Sequence, residues 1–101
     1  MNILFICNQG QNRSRKAANL FKNRFKTKSA GLHCDRPVTK EQLLWADVIV
    51  VMENQHRSEI AKRFPQVYLQ KRILSLDIPD IYRYGQPKLV DILKYRMLES
   101  L

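Results

Sequence analysis

The sequence predicts an α/β fold: one domain over residues 1–101, built in three layers as a parallel sheet with helices on both faces. Three observations predict it. Short continuous apolar runs, Ile3 to Ile6 and Val48 to Met52, read as strands buried on both faces. Amphipathic helical stretches alternate with them, and strands separated by helices pair in parallel through right-handed crossovers. A length of 101 residues, with 45% hydrophobic and 27% charged residues, suits one modest core and excludes both a disordered chain and a second domain.

The elements follow in order. Asn2 to Ile6 is the first strand. A helix from about Arg13 to Lys26 places Ala17, Leu20, Phe21 and Phe25 on one face and Lys16, Asn23 and Lys26 largely opposite. Lys28 to Gly31 reads as a brief second strand, and after Pro37 a helical turn runs from Thr39, a suitable N-cap, to Trp45. Val48 to Met52 is the strongest strand and belongs in the centre of the sheet. Asn54 to Phe64 reads as a helix with Ile60, Ala61 and Phe64 inward, ended by Pro65. One short strand is expected around Ile73 and Leu74 within Val67 to Leu76, then a loop from Asp77 to Gly85. Pro87 opens a last helix with Leu89, Val90, Leu93 and Met97 inward.

Charge and cysteine content narrow the partners. Eighteen basic against nine acidic residues give a net charge of +9, which favours phosphorylated or polyanionic partners without choosing among them. Lys16, Lys22, Arg24, Lys26 and Lys28 along the first helix, and Lys62, Arg63, Lys71 and Arg72 later, read as solvated basic faces. Aromatic residues are sparse among them, so nucleic acid is not the favoured partner. The apolar start is too short for a signal peptide, no stretch approaches a membrane span, and two cysteines, one needed as a free thiol, point to a reducing cytoplasm. No His and Cys stand at zinc-ligand spacing; neither metal nor cofactor is expected.

The chemistry lies directly after the first strand. Cys7, Asn8, Gln9, Gly10, Gln11, Asn12, Arg13 and Ser14 form C-x5-R-S at a strand-to-helix junction. Five intervening residues let the chain curl around a phosphate-sized anion with its amides inward and the positive end of the helix facing it. Cys7 supplies a nucleophile, as thiolate, at a helix N-terminus beside a cation. Ser14 offers a hydroxyl to the sulfur. Arg13 brings a planar fork that holds two phosphate oxygens. A cation at a helix N-terminus is unfavourable unless an anion meets it, which argues against a merely structural pair. Gly10 supplies the positive φ such a loop needs.

A thiolate attacking a phosphate monoester requires a proton for the departing oxygen. Asp77 and Asp80, in Leu76-Asp77-Ile78-Pro79-Asp80-Ile81-Tyr82, are the candidates, because the carboxyl ends of parallel strands share one edge of the sheet. Beside a proline, either can equally be a turn residue. Glu53, His56 and Arg57 follow the central strand and are expected mainly to cap and solvate a helix, with the site rim as the alternative. Trp45 is expected to pack, and His33 has no evident partner.

Together, C-x5-R-S after the first strand, Ser29-Ala30-Gly31-Leu32 after the first helix, Ala46-Asp47 before Val48 to Met52, and the late Asp-Ile-Pro-Asp-x-Tyr segment resemble the low-molecular-weight protein tyrosine phosphatases. The resemblance spans nearly the whole chain. It implies a four-stranded parallel sheet in the flavodoxin-like order 2-1-3-4, a phosphocysteine intermediate on Cys7, phosphate binding by Arg13 and the 8–12 loop, thiolate stabilisation by Ser14, and no cofactor. It also implies Asp80 as general acid, with Asp77 as the alternative, and Tyr82 or Tyr84 as a wall for an aromatic substrate.

The chain departs from that pattern at the loop. Gln9 stands where Gly is usual, Gly10 where Asn is usual, and Asn12 in place of a second cysteine. No disulfide can form next to the nucleophile, and Cys34 can resolve an oxidised Cys7 only if the fold brings it near. The reading that follows is a monomeric phosphomonoester hydrolase acting on phosphotyrosine or small aryl phosphates. Its rivals are a thiol-dependent arsenate reductase and a phosphate-recognising binding module with little turnover.

Overall fold

In the computed structural model, which describes residues 1–100, the apolar run at the start forms β1 (Asn2–Cys7). Its side chains alternate between two cores. Ile3, Phe5 and Cys7 pack on one face of the sheet with Ala17, Phe21, Leu89, Leu93 and Met97, whereas Leu4 and Ile6 pack on the other with Leu43, Ile60 and Val67. This two-sided burial explains why the run is continuously apolar.

The chain then forms α1 (Arg13–Phe21), β2 (Lys26–Gly31), α2 (Lys40–Trp45), β3 (Val48–Val51), α3 (Asn54–Arg63), α4 (Pro65–Gln70), β4 (Arg72–Ser75) and α5 (Pro87–Ser100). All strand pairs are parallel, in the order β2-β1-β3-β4. This is the expected order 2-1-3-4, with β1 and β3 both internal. Helices α1 and α5 cover the face that buries Phe5, and α2, α3 and α4 cover the opposite face. Connections leaving the paired β1 and β3 thus diverge to opposite sides, which opens a crevice at their carboxyl ends. The register sets Cys7 beside Gly31, and Val51 beside Ser75, at that edge.

The structure departs most from the sequence reading at the end of the first helix and around Pro65. The first helix stops at Phe21, because the Arg24 and Phe25 amides donate back to the Phe21 carbonyl at 3.0 and 3.1 Å and the next residues reverse the chain into β2. Phe25 still returns to the α1 side of the core, so the helical periodicity of the apolar residues outlasts the helix. Pro65 does end α3, but it also begins α4, a helix the sequence reading omits. At the first helical position a missing N–H costs nothing. The expected cap at Thr39 forms: its hydroxyl accepts from the Gln42 amide at 3.2 Å, and the Gln42 side chain accepts the Thr39 amide at 3.0 Å.

Candidate active site

The C-x5-R-S segment leaves β1 at the crevice and folds into a loop closed by α1. Gly10 has φ +72°, as its place in the sequence predicts, and this turns its N–H toward the Cys7 sulfur at 3.1 Å. Ser14 Oγ lies 3.0 Å from the same sulfur and 3.5 Å from the Ala30 carbonyl. The Ser14 hydroxyl has two possible acceptors, and turning it toward the sulfur serves the anionic form. On its outer side the loop rests on the end of β2. Leu32 N donates to the carbonyls of Cys7 and Asn8 at 3.1 and 2.9 Å, and His33 N to that of Asn8 at 2.7 Å. A Cβ on Gly31 would stand 2.6 Å from the Gln9 carbonyl carbon and 2.9 Å from the Cys34 sulfur, so the glycine lets loop and strand close up.

Helix α1 begins with Asn12 as N-cap, whose side chain makes no capping hydrogen bond, and no acidic residue lies in its first turn. Its first-turn amides therefore face the loop with no acidic residue of the helix itself to compensate them. Arg13, the first helical residue, is buried, its side chain only 2% exposed. Its Nη1 donates to the Ile78 carbonyl at 2.6 Å and pairs with Glu53 Oε1 at 3.0 Å. Its Nε lies 3.8 Å from Asp80 Oδ1. Nη1 is thus committed to the protein, which leaves the Nε and Nη2 edge, the fork that suits two oxygens of a phosphate.

A cavity of about 80 Å³ is lined by Cys7, Gln9, Gln11, Asn12, Arg13 and Asp80. It brings the nucleophile, the cation and one aspartate together. Asp80 is the aspartate that meets them. Asp77 lines a neighbouring cleft of about 570 Å³ with Glu53, Asn54, Gln55 and Pro79, and its left-handed backbone, φ +57°, turns the chain between β4 and Ile78. Ile78 is held on both sides, since its N–H donates to the Met52 carbonyl at 2.7 Å and its carbonyl receives Arg13.

Other expected residues fall differently. Tyr82 is half-buried against the core cluster that holds Phe5 and Leu89, and it is not among the residues lining the cavity. Tyr84 accepts a hydrogen bond from Asn19 at 3.0 Å and lies under the Lys16 ammonium at 4.6 Å, so it is engaged along α1. Asn8 and Gly10 shape the loop through their backbones and do not line the cavity. Trp45 packs as expected, with the Lys28 ammonium 4.4 Å above its ring. His33 does have a neighbour, Arg63, at 3.4 Å. Both cysteines are free, Cys7 buried and Cys34 exposed.

Glu53 is the residue whose part the sequence reading underestimates. It is the N-cap of α3, and its carboxylate reaches Arg13 on one side while accepting Gln55 Nε2 at 2.6 Å on the other. Its backbone N–H donates to His56 Nδ1 at 3.1 Å. That bond leaves the imidazole proton on Nε2, which is buried without a hydrogen-bond partner among the described residues. Burial, reinforced by the Arg13 guanidinium, holds His56 below its ordinary value and keeps it neutral. The signal for Glu53 was positional: it follows the central strand at the edge that carries Cys7. Among the described residues no three His, Cys, Asp or Glu side chains gather as a metal-binding set.

Fold and loop together define a class: the low-molecular-weight tyrosine phosphatase fold, with C-x5-R-S at the end of its first strand. Solved structures of that class superpose on the chain. Tyrosine phosphatase AmsI of Erwinia amylovora matches with a TM-score of 0.79 at 19% identity, over 97% of this chain and 89% of its own. A low-molecular-weight protein tyrosine phosphatase from Bacillus subtilis matches with 0.75 at 20%, over 98% and 95%. The YwlE arginine phosphatase from Geobacillus stearothermophilus matches with 0.68 at 22%, over 97% and 84%. No protein-family model matches the sequence, and no curated protein matches it. At these identities the likeness establishes the shared fold.

Proposed function

We propose that the protein is a cysteine-dependent phosphomonoester hydrolase, a protein-tyrosine phosphatase acting through a phosphocysteine intermediate. The observation that carries this reading is the meeting of the Cys7 sulfur, the Arg13 guanidinium and the Asp80 carboxyl around one phosphate-sized cavity. In the first step the Cys7 thiolate attacks phosphorus. The phosphorus–oxygen bond to the leaving group breaks, and that oxygen takes the proton of Asp80. The Nε and Nη2 edge of Arg13, with the loop amides and the N-terminus of α1, holds the equatorial oxygens as charge spreads over them. In the second step the Asp80 carboxylate removes a proton from water, whose oxygen attacks phosphorus. The sulfur–phosphorus bond breaks and returns the thiolate with inorganic phosphate.

Asp80 over the cavity favours turnover over a binding module, which needs no acid. The arsenate reductase alternative needs a thiol relay, for which the chain offers only the exposed Cys34. We take the enzyme to work as a one-domain monomer on phosphoprotein or small aryl phosphate in the cytoplasm, with nucleic acid not favoured. Among the described residues no helix is long and apolar enough to cross a membrane.

A second substrate has one observation in its favour. Beside the reacting groups the cavity is lined by Gln9, Gln11 and Asn12, polar side chains that can hydrogen-bond a guanidinium. One of the matching structures is an arginine phosphatase.

The test is phosphate release from p-nitrophenyl phosphate, a phosphotyrosine peptide and a phosphoarginine peptide, with chelator present. Turnover that vanishes in Cys7→Ser and falls about 10²- to 10⁴-fold in Asp80→Asn supports the mechanism. The ratio between the two peptides decides the leaving group. Absence of turnover in the parent, with phosphate still bound, would leave the binding module.

A further inference from the structure

At the end of α1 furthest from the catalytic loop lies a further concavity. It has a volume of about 520 Å³ and runs between the last turn of α1 and the last turns of α5. Its apolar lining includes Leu20, Phe25, Met97 and Leu98, and Arg24 and Lys94 contribute the charged positions. Leu98 is 81% exposed, and among the described residues neither Arg24 nor Lys94 pairs with a carboxylate. Lys22, the C-cap of α1, and Lys26, the first residue of β2, are also exposed, and residues 20–28 contain no acid. On α5 the acids are Asp91, three residues before Lys94, and Glu99, next to Leu98, and neither lines the groove.

We infer that this groove docks an acidic segment of another protein, anchored by one or two large apolar side chains. Three features select that occupant. An apolar floor with cations on its walls complements a segment that carries carboxylates around its anchors. A concavity of this volume takes inserted side chains, whereas a bilayer surface engages protruding ones. A second copy of the chain, with a net charge of +9, would set Arg24 and Lys94 against their own equivalents across a two-fold axis. The groove lies at the opposite end of α1 from Cys7, so an occupant leaves the phosphate cavity open. This inference is independent of the proposed chemistry.

The test is an ¹⁵N-¹H NMR titration of the full chain with a helical peptide of about 15 residues, leucines on one face and glutamates elsewhere, alongside the same peptide with lysine for glutamate. The expected result is saturable shifts at the amides of Leu20, Phe25, Met97 and Leu98 with the acidic peptide alone. Affinity should weaken about tenfold in Arg24→Glu/Lys94→Glu, as two rim ion pairs imply. It should also weaken in Leu98→Glu, whose exposed position leaves folding intact, as the melting temperature checks. Four results would overturn the inference. These are no shifts at the groove with millimolar peptide, equal shifts with the lysine peptide, groove shifts instead with phosphatidylcholine–phosphatidylserine vesicles, or self-association in sedimentation that Leu98→Glu removes.

Discussion

Arg13 is buried with protein partners on two of its nitrogens, Nη1 and, at 3.8 Å from Asp80, Nε; on the proposed function its Nε and Nη2 edge takes the phosphate. Glu53 Oε1 and the Ile78 carbonyl fix Nη1. Losing the charged partner should let the guanidinium turn, so Glu53→Ala is expected to lower kcat/KM about ten- to a hundredfold, in line with about 1.5–3 kcal/mol for a hydrogen bond to a charged group. Glu53→Gln, which keeps an acceptor, should lose less. The check is steady-state kinetics with inhibition by vanadate, which should weaken in Glu53→Ala more than inhibition by phosphate. His56 makes a different prediction. Its value is lowered from 6.5 in the folded protein, so the unfolded chain takes up the proton first. The contribution of neutral His56 is complete above about pH 6.5 and declines as pH falls below it. Chemical denaturation across that range should show stability dropping toward acid, with a shallower slope in His56→Gln. The Cys7, Gly10, Arg13 and Ser14 set was legible in the sequence because its geometry is local to eight residues. The Glu53 partnership was not, since Arg13 and Glu53 meet only once β1 and β3 pair.

At the scale of elements, the loop owes its shape to two glycines that face one another. Adding a Cβ at Gly10 meets the backbone of Ala30 and Gly31 at 2.9 Å with φ already positive, and adding one at Gly31 meets the Gln9 carbonyl carbon at 2.6 Å. Gly10→Ala should therefore cost at least the ~1–2 kcal/mol of a left-handed residue, and Gly31→Ala should displace the loop from β2. Both are checked by melting temperature together with phosphate affinity, and in both the affinity should fall. Thr39→Ala should cost about 1 kcal/mol of stability with catalysis unchanged, because the capping box it completes at α2 takes no part in the cavity. Elements were legible where periodicity and caps agreed, as at α2 and α5. They were misjudged where an apolar residue of a turn kept helical phase, as Phe25 does. Pro65 misled for another reason: it reads as a terminator and serves as a beginning as well.

For the whole molecule, the parallel order β2-β1-β3-β4 gathers Cys7, Glu53 and the Asp77–Asp80 loop at one edge although up to 73 residues separate them in the chain. The alternation of strands and helices made this edge legible, since ligands in such sheets lie at the carboxyl ends of strands. What the sequence left open was which aspartate meets Cys7 and Arg13. That depends on how the 77–85 segment packs, and it packs with Asp80 Oδ1 3.8 Å from Arg13 Nε. The central claim is that phosphate passes through the Cys7 sulfur. The most direct test is to mix Asp80→Asn protein with p-nitrophenyl phosphate, quench rapidly in acid and map the phosphate by mass spectrometry. A phosphate adduct on the peptide that contains Cys7, absent in Cys7→Ser, is the predicted result. Turnover in the parent that persists in Cys7→Ser, with no adduct on that peptide, would contradict it.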